Sequence, residues 1–223
     1  MIDFYSWQTP NGFKVSILLE ELGLDYQVHE IDIGQGEQFD PDFLKLCPNN
    51  KIPALTDSDG PGGKPISLFE SGAILIYLAN KAGRFISADP RRHMEEIQWV
   101  MFQMANVGPM FGQTHHFRNK TEPEFAYARN RYLRETNRLY GVMDRRLAES
   151  TYLAGPDYSI ADIATWPWVS RFEWHEVDWV NYPHLKDWFD IIWTRPAVKR
   201  GRVVPRVGAI WSDAFPDGEE KGS

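Results

Sequence analysis

The sequence predicts an α/β domain followed by an all-α domain. Strand-like and helix-like patterns alternate in the first part of the chain, whereas the later part shows apolar residues at helical spacing and no strand signal. We therefore expect a first domain over residues 1–85, a helical-bundle domain over residues 90–205 and a partly mobile C-terminal extension over residues 206–223.

The predicted order of elements in the first domain is β-α-β-turn-β-β-α, which suits a small mixed sheet covered by helices. The first strand, Ile2–Trp7, ends at a Thr-Pro-Asn-Gly break, and a helix follows over Phe13–Leu22. The other predicted elements are strands at Tyr26–Ile33, Lys51–Thr56 and Ile66–Phe69, a helical turn at Pro41–Leu46 and a helix that begins at Ser71 and ends near Gly83.

The second domain is predicted from long apolar patterns at helical spacing. A break is expected at Gly108-Pro109, because proline removes a helical hydrogen bond. Ser159 and Asp162 have the spacing of a capping box, with Asp in place of the usual Glu or Gln. The predicted helical segments are Arg92–Phe117, Phe125–Glu149, Ser159–Phe172 and Pro183–Thr194.

Charge and composition exclude several classes of partner. The chain has 24 Lys and Arg against 31 Asp and Glu, a formal net charge of −7, which argues against binding to nucleic acid or to an anionic membrane surface. Its single cysteine, Cys47, cannot form an internal disulfide, and the N-terminus lacks the pattern of a signal peptide. We expect a cytoplasmic globular protein.

Four motifs carry a more specific signal: Thr9-Pro10-Asn11, Asn49-Asn50-Lys51-Ile52-Pro53, Glu70-Ser71 and Ser159-x-x-Asp162. In this order, and with runs such as TPNGFKV and YSIADIATWPWV, the chain resembles the cytosolic glutathione transferases over roughly residues 1–200. The sequences of these motifs are similar to those of the Nu class, a branch associated with glutathione-dependent disulfide reduction. The resemblance implies an N-terminal thioredoxin-like domain that binds glutathione, a C-terminal helical-bundle domain and a homodimer.

The resemblance also implies that Thr9 and Asn11 are the catalytic residues. A thiol with a free pKa near ~8.5 becomes a thiolate at neutral pH when donors and positive potential surround it. The Thr9 hydroxyl and the Asn11 amide supply donors where a helix begins. The alternative is that Thr9 is only an N-cap and Asn11 only a turn residue. Tyr5 is a rival for the sulfur, and Ser6 a weaker one.

Further residues are implied to bind glutathione. Ile52-Pro53 is interpreted as a cis-proline corner that leaves the Ile52 backbone free to pair with the cysteinyl part, although Pro53 would also suit an edge strand. Glu70 and Ser71 are expected to hold the γ-glutamyl ammonium and carboxylate, with Ser71 as a plain N-cap compatible with that role. Gln38, Lys51 and Arg131 complete the set by family resemblance.

Other conspicuous residues are given structural interpretations. His115-His116 indicates no metal site, because neighbouring residues point apart on a helix. Trp166 and Trp168 are expected in the core or in a dimer interface, or lining an acceptor pocket, and Cys47 is expected to be a small buried hydrophobe. Trp211 and Phe215 in the extension have no assigned role.

The leading functional hypothesis is an enzyme whose bound glutathione thiolate attacks a small-molecule disulfide. One alternative is conjugation of glutathione to small electrophiles, which needs the same thiolate and a different acceptor pocket. A second alternative is a non-catalytic binding or regulatory protein with the same fold. None of these requires a metal cofactor.

Overall fold

The computed structural model describes residues 1–205 of the chain. A small sheet with flanking helices is followed by helices alone, so the predicted fold class is confirmed. The predicted C-terminal extension, residues 206–223 with Trp211 and Phe215, lies outside the described residues.

The sheet is mixed, with four strands in the order β2-β1-β3-β4. Strand β1 runs parallel to β2 and antiparallel to β3, which in turn pairs antiparallel with β4. Side chains of β1 alternate between buried and half-buried positions, as expected where successive residues face opposite sides of a sheet. The strands are β1 (Ile2–Ser6), β2 (Tyr26–Glu30), β3 (Ala54–Asp57) and β4 (Ile66–Phe69).

Three helices accompany the sheet. Helix α1 begins at Pro10, earlier than the predicted Phe13, because Thr9 caps it and proline is suited to its first position. It ends at Gly23, whose φ of 67° closes the helix in the left-handed conformation. The three helices are α1 (Pro10–Leu22), α2 (Pro41–Leu46) and α3 (Ser71–Ala82).

Within the described residues, the second part of the chain contains six further α-helices, with 3₁₀ turns between α5 and α6 and between α7 and α8. Helix α7 has the predicted capping box, with reciprocal bonds between Ser159 and Asp162. It ends at Val169, earlier than predicted, and α9 is a helix that the sequence analysis missed. The helices are α4 (Pro90–Phe102), α5 (Gly108–Phe117), α6 (Ala126–Leu147), α7 (Ile160–Val169), α8 (Pro183–Trp193) and α9 (Pro196–Gly201).

The predicted break at Gly108-Pro109 lies slightly earlier than expected. The chain forms a π-helical turn over Gln103–Val107, and Pro109 then occupies the first turn of α5. A proline ring clashes with the carbonyl four residues before it in a regular helix, and widening that turn removes the clash. The break therefore falls before the proline.

Helix α1 connects the two parts of the molecule. It packs against α3, α7 and α9, every residue from Gly12 to Leu19 is buried, and its core residues are continuous with those of α7 and α8. Ser16 donates to the Gly201 carbonyl at 2.6 Å, and Arg195 forms a bidentate ion pair with Glu21. Burial on both sides fixes α1 relative to the sheet and to the helical part.

Among residues 1–205, no helix combines the length and the apolar composition that crossing a lipid bilayer requires.

Asp162 anchors α7 through a buried carboxyl group. It accepts hydrogen bonds from the Leu153 N–H, the Trp188 indole N–H and both the N–H and hydroxyl of Ser159, at 2.9 to 3.2 Å. Burial raises the pKa of Asp162 to about 6, while these hydrogen bonds favour its ionised form.

We predict that Asp162→Ala lowers the free energy of unfolding by about 3 kcal/mol, because it leaves several buried donors without an acceptor. Urea denaturation measures this change. The matched control is Asp178→Ala, which removes an exposed cap whose one hydrogen bond within the described part of the chain is from the Val180 N–H, and it should cost below about 1 kcal/mol. Equal losses in the two variants would contradict an anchoring role for Asp162.

Candidate active site

The N-terminal segments that contain predicted site residues all adjoin the same edge of the sheet, where the strands end or begin. Tyr5 of β1 pairs with Ala54 of β3, which pairs with Phe69 of β4, and Ser6 pairs with Glu30 at the end of β2. The carboxyl ends of β1, β2 and β4 and the amino end of β3 therefore meet at this edge. The turn at Thr9, the loop with Gln38, the Ile52-Pro53 corner and the Glu70-Ser71 pair all adjoin it.

Thr9 lies at the start of α1 and uses its side chain as a cap. Its Oγ1 accepts the Gly12 N–H at 3.2 Å, and its carbonyl accepts the Phe13 N–H at 3.0 Å. The interpretation of Thr9 as an N-cap is therefore confirmed. The capping hydrogen bond uses a lone pair of Thr9 Oγ1 and leaves the hydroxyl hydrogen unused. Among residues 1–205 the hydroxyl hydrogen has no acceptor within bonding distance, so this O–H can donate to a ligand.

Asn11 is oriented from the other side of the molecule. The indole N–H of Trp168 in α7 donates to Asn11 Oδ1 at 3.0 Å. Because the amide oxygen is engaged, its NH₂ group is left to donate, and it bonds to no acceptor within the described residues. Trp168, expected only to pack or to line a pocket, thus positions the amide of a predicted catalytic residue.

An aromatic stack supports Trp168. His115 of α5 stacks on the Trp168 ring, with centroids 5.5 Å apart and planes at 20°, and also stacks on His175. The two imidazoles share a 2.7 Å hydrogen bond, and Tyr140 bonds to the far nitrogen of His175 at 2.8 Å. Burial, helped by Arg171 and Arg118, lowers the pKa of His115 to about 3, so both rings are neutral at physiological pH.

His116, the neighbour of His115 on α5, is exposed. As predicted, the two side chains point apart. Within residues 1–205, histidine, cysteine, aspartate and glutamate side chains form no group of three or more that could hold a metal ion.

The rival residues on β1 face other surroundings. Tyr5 stacks on His29, with centroids 4.6 Å apart, and packs against the small cluster around Phe43. Ser6 is fully buried behind the first turn of α1, where a β-carbon on Gly12 would lie 2.4 Å from the Ser6 hydroxyl oxygen. Close packing of strand and helix thus encloses Ser6, and only glycine fits at position 12.

The Ile52-Pro53 peptide bond is cis, as predicted. Strand β3 begins only at Ala54, and within the described residues the backbone N–H and C=O of Ile52 make no hydrogen bond. Lys51 is exposed beside it. The corner therefore presents unpaired backbone groups that an extended ligand can pair with. Cys47 is 2% exposed and packs beside Ile52, which confirms it as a small buried hydrophobe.

Glu70 and Ser71 form the junction between β4 and α3. Glu70 has φ +70° and ψ 111°, a conformation that a non-glycine residue adopts at a cost of about 1–3 kcal/mol. It occupies the N-cap position, so the interpretation of Ser71 as the N-cap is wrong. The Glu70 carboxylate is exposed, whereas the Ser71 side chain is buried at the first turn of α3.

Gln38 and Arg131 lie in different surroundings. Gln38 is half-buried in the 3₁₀ turn Glu37–Phe39, and its buried Oε1 has no partner among residues 1–205. Arg131 is exposed on α6, where its charge assists the Arg138 hydrogen bond that lowers the pKa of Glu135. No contact in the described part of the chain joins Arg131 to the other predicted residues.

Lys14 is a feature of this region that was not predicted from the sequence. Its side chain is 1% exposed, and Nζ donates to Ser71 Oγ at 3.3 Å and to Gln103 Oε1 at 2.6 Å. The sequence does contain a signal for a buried lysine, because Lys14 lies inside the apolar run FKVSILL. It is three residues after Asn11 and so on the same face of the helix.

Family models match both parts of the chain. The glutathione S-transferase N-terminal domain matches residues 2–80, and the glutathione S-transferase C-terminal domain matches residues 103–196. Among curated proteins, the disulfide-bond oxidoreductase YfcG of Escherichia coli (strain K12) is 47% identical over 215 residues, which cover 96% of this chain and 100% of YfcG.

Solved structures agree with these matches. A glutathione transferase of Burkholderia graminis with two glutathione molecules bound per subunit superposes with a TM-score of 0.89 at 47% identity, covering 93% of this chain and 89% of its own. A glutathione transferase of Pseudomonas putida with one glutathione disulfide bound per subunit superposes with a TM-score of 0.87 at 43% identity. The match covers 92% of this chain and 91% of the Pseudomonas chain. Since the models match more than half of the residues and YfcG aligns over its whole length, the chain belongs to the glutathione S-transferase family of enzymes.

Proposed function

We propose that the protein is a glutathione-dependent disulfide-bond reductase in which Thr9 and Asn11 stabilise the glutathione thiolate. The observation that carries this proposal is the pair of uncommitted donors at the start of α1, the Thr9 O–H and the Asn11 NH₂, the second oriented by Trp168. Both donors adjoin the positive end of the α1 dipole, which favours an anion at the same point.

The same edge of the sheet supplies groups for the rest of the tripeptide. The free backbone of Ile52, next to Pro53, suits the cysteinyl part, and the exposed Glu70 carboxylate suits the γ-glutamyl ammonium. Ser71 and the first N–H groups of α3 suit the γ-glutamyl carboxylate. Gln38 and Lys51 would bind the glycyl end, and Arg131 remains a prediction from resemblance alone.

The chemistry is two successive thiol–disulfide exchanges. The bound glutathione thiolate attacks one sulfur of a small-molecule disulfide, forms a mixed disulfide and releases the other sulfur as a thiolate, which takes up a proton. A second glutathione thiolate attacks the mixed disulfide, giving glutathione disulfide and the second reduced thiol. The protein's buried Cys47 takes no part.

The relatives support this choice of reaction. YfcG is named a disulfide-bond oxidoreductase, and the Burkholderia and Pseudomonas proteins hold two glutathiones or one glutathione disulfide. Assignment to the Nu class, a cytoplasmic location, a homodimer and domain limits at residues 1–85 and 90–205 belong to the same proposal.

Two assays on the purified protein separate the candidate functions. Glutathione-dependent reduction of 2-hydroxyethyl disulfide, followed through glutathione disulfide formation, should be much faster than conjugation of glutathione to 1-chloro-2,4-dinitrobenzene. Faster conjugation would favour the transferase alternative, and glutathione binding without either activity would favour a regulatory protein. Failure to bind glutathione would overturn the proposal.

We predict that Asn11→Ala lowers kcat/KM for disulfide reduction about 100-fold and that Thr9→Ala lowers it about tenfold. Loss of a donor disfavours the thiolate, so the pH–rate profile of each variant should move to higher pH. Steady-state kinetics between pH 6 and 9 measure both effects.

The matched controls are Asn80→Ala and Thr194→Ala, which remove exposed side chains that, among residues 1–205, bond only to nearby helical carbonyls. Both should retain the wild-type profile. Unchanged activity in Asn11→Ala and Thr9→Ala would remove these residues from the thiolate site.

A separate prediction concerns the positioning of Asn11. Trp168→Phe keeps an aromatic ring for the stack on His115 but removes the indole N–H that holds Asn11 Oδ1. We expect kcat/KM to fall about fivefold, the equivalent of one neutral hydrogen bond of about 1 kcal/mol, with a smaller change in KM for glutathione.

The control is Trp166→Phe, which removes an indole hydrogen bond to the Phe189 carbonyl in the core. It should lower stability and leave kcat/KM unchanged. Equal kinetic effects of the two substitutions would show that Trp168 acts only through packing.

A further inference from the structure

Lys14 is a lysine with its ammonium group inside the protein. It lies one helical turn beyond Asn11 on α1 and is 1% exposed. Lysine is almost never fully buried without a partner of opposite charge, because removing an ammonium from water is costly. A buried lysine beside a candidate active site therefore calls for a physical explanation.

The groups bonded to Lys14 are all neutral. Nζ contacts the Ser71 hydroxyl at 3.3 Å, the Gln103 amide oxygen at 2.6 Å and the Met104 sulfur at 3.4 Å. No carboxylate of residues 1–205 makes a salt bridge with it. Neutral dipoles therefore surround the Lys14 ammonium, and no carboxylate of the described residues lies at bonding distance to balance its charge.

The charged groups on the surrounding elements are engaged elsewhere or lie farther away. Glu70, just before α3, acts on Lys14 through space, and its own carboxylate is exposed. Arg195, which precedes α9, and Arg200 within α9 pair with Glu21 and Glu20 near the far end of α1.

Two other packed elements also contribute no compensating charge. Asp162, the acid of α7, is enclosed by its own four donors. The π-helical turn presents only the neutral Gln103 and Met104 side chains to Lys14.

As a consequence, the Lys14 side chain is divided between its protonated and neutral forms near neutral pH. Burial lowers the pKa of Lys14 to about 7, although the Glu70 carboxylate opposes this shift. A negative charge brought within about 6 Å would favour the protonated form and raise the pKa again.

Ser71 connects Lys14 to the ligand side of the site. Lys14 donates to Ser71 Oγ, while the Ser71 hydroxyl hydrogen points to the weakly accepting Met104 sulfur at 3.6 Å. Gly72 permits this close packing, since a β-carbon there would lie 2.9 Å from Met104. A carboxylate at the start of α3 would take the Ser71 hydrogen bond in place of the sulfur and would lie within about 6 Å of Nζ.

We propose that Lys14 is the buried counter-charge for the γ-glutamyl α-carboxylate of glutathione and acts on it through Ser71, an inference that rests on the proposed function. Lys14 is then a positioning residue, because it touches Ser71 and not the substrate. Binding of the carboxylate should be accompanied by uptake of a proton at Lys14 when the pH is above neutral.

The test is isothermal titration calorimetry of the wild-type protein with S-methylglutathione at pH 7.5, in buffers of different ionisation enthalpy. This ligand has no thiol, so thiolate formation cannot contribute protons, and its ammonium is already charged. If the carboxylate raises the pKa of Lys14 by about one unit, binding takes up about half a proton per site. The affinity should then fall about fivefold between pH 6 and 8, a range in which the amine of the ligand stays protonated.

A second ligand isolates the carboxylate. The analogue with a γ-aminobutyryl group in place of γ-glutamyl keeps the rest of the molecule, and it should bind without proton uptake. Lys14→Met should abolish the uptake with S-methylglutathione and reduce the preference for it over the analogue about tenfold at pH 6.5. Lys81→Met is the control, because Lys81 lies on α3 but pairs with Asp57, and it should keep the wild-type uptake.

The outcomes distinguish this inference from the proposed function. Absence of proton uptake in the wild type, uptake of the same size with the analogue, or uptake retained in Lys14→Met would overturn the role of Lys14 while leaving glutathione binding intact. Failure of the wild type to bind S-methylglutathione and glutathione would overturn both proposals. The two wild-type titrations decide the question even if Lys14→Met does not fold.

Discussion

Burial of α1 on both of its sides is the constraint on which the site depends. Helix α1 packs against α3, α7 and α9, shares one core with Phe4 and Leu55 of the sheet, and buries every residue from Gly12 to Leu19. Because Gly12 has no side chain, the first turn of α1 can lie directly against β1. The hydrogen bond between Trp168 and Asn11 joins the same turn to α7. Donors fixed in this way require little reorganisation when negative charge develops, which is the physical basis of electrostatic preorganisation.

The site combines neutral donors with few exposed cations, in a chain whose net charge is −7. An acidic protein can favour an anion locally when helix N-termini and polar hydrogens converge on one point, because these partial charges act at short range. The start of α1 and the start of α3 both adjoin the same edge of the sheet. Lys14 lies between these helix starts, and its desolvated ammonium acts through less screening than a surface lysine.

Thr9 shows that a structural and a catalytic interpretation need not compete. Its Oγ1 lone pair caps the helix, and its O–H hydrogen stays available. Asn11 divides its amide in the same manner, with the oxygen bound to Trp168 and the NH₂ group uncommitted. Each side chain uses its acceptor oxygen for the fold and keeps its donor hydrogens uncommitted within residues 1–205, as the proposed role requires.

The sequence by itself determined the order of elements, the caps at Thr9 and Ser159, the Ile52-Pro53 corner and the family, since these depend on local spacing and short motifs. It misplaced the break near Pro109 by a few residues and missed α9, because helix ends depend on neighbouring packing. Only the tertiary structure brought Trp168 to Asn11, 157 positions earlier, and buried Lys14 beneath Ser71. Contacts between distant segments arise when helices pack, and a single sequence contains no local pattern that encodes them.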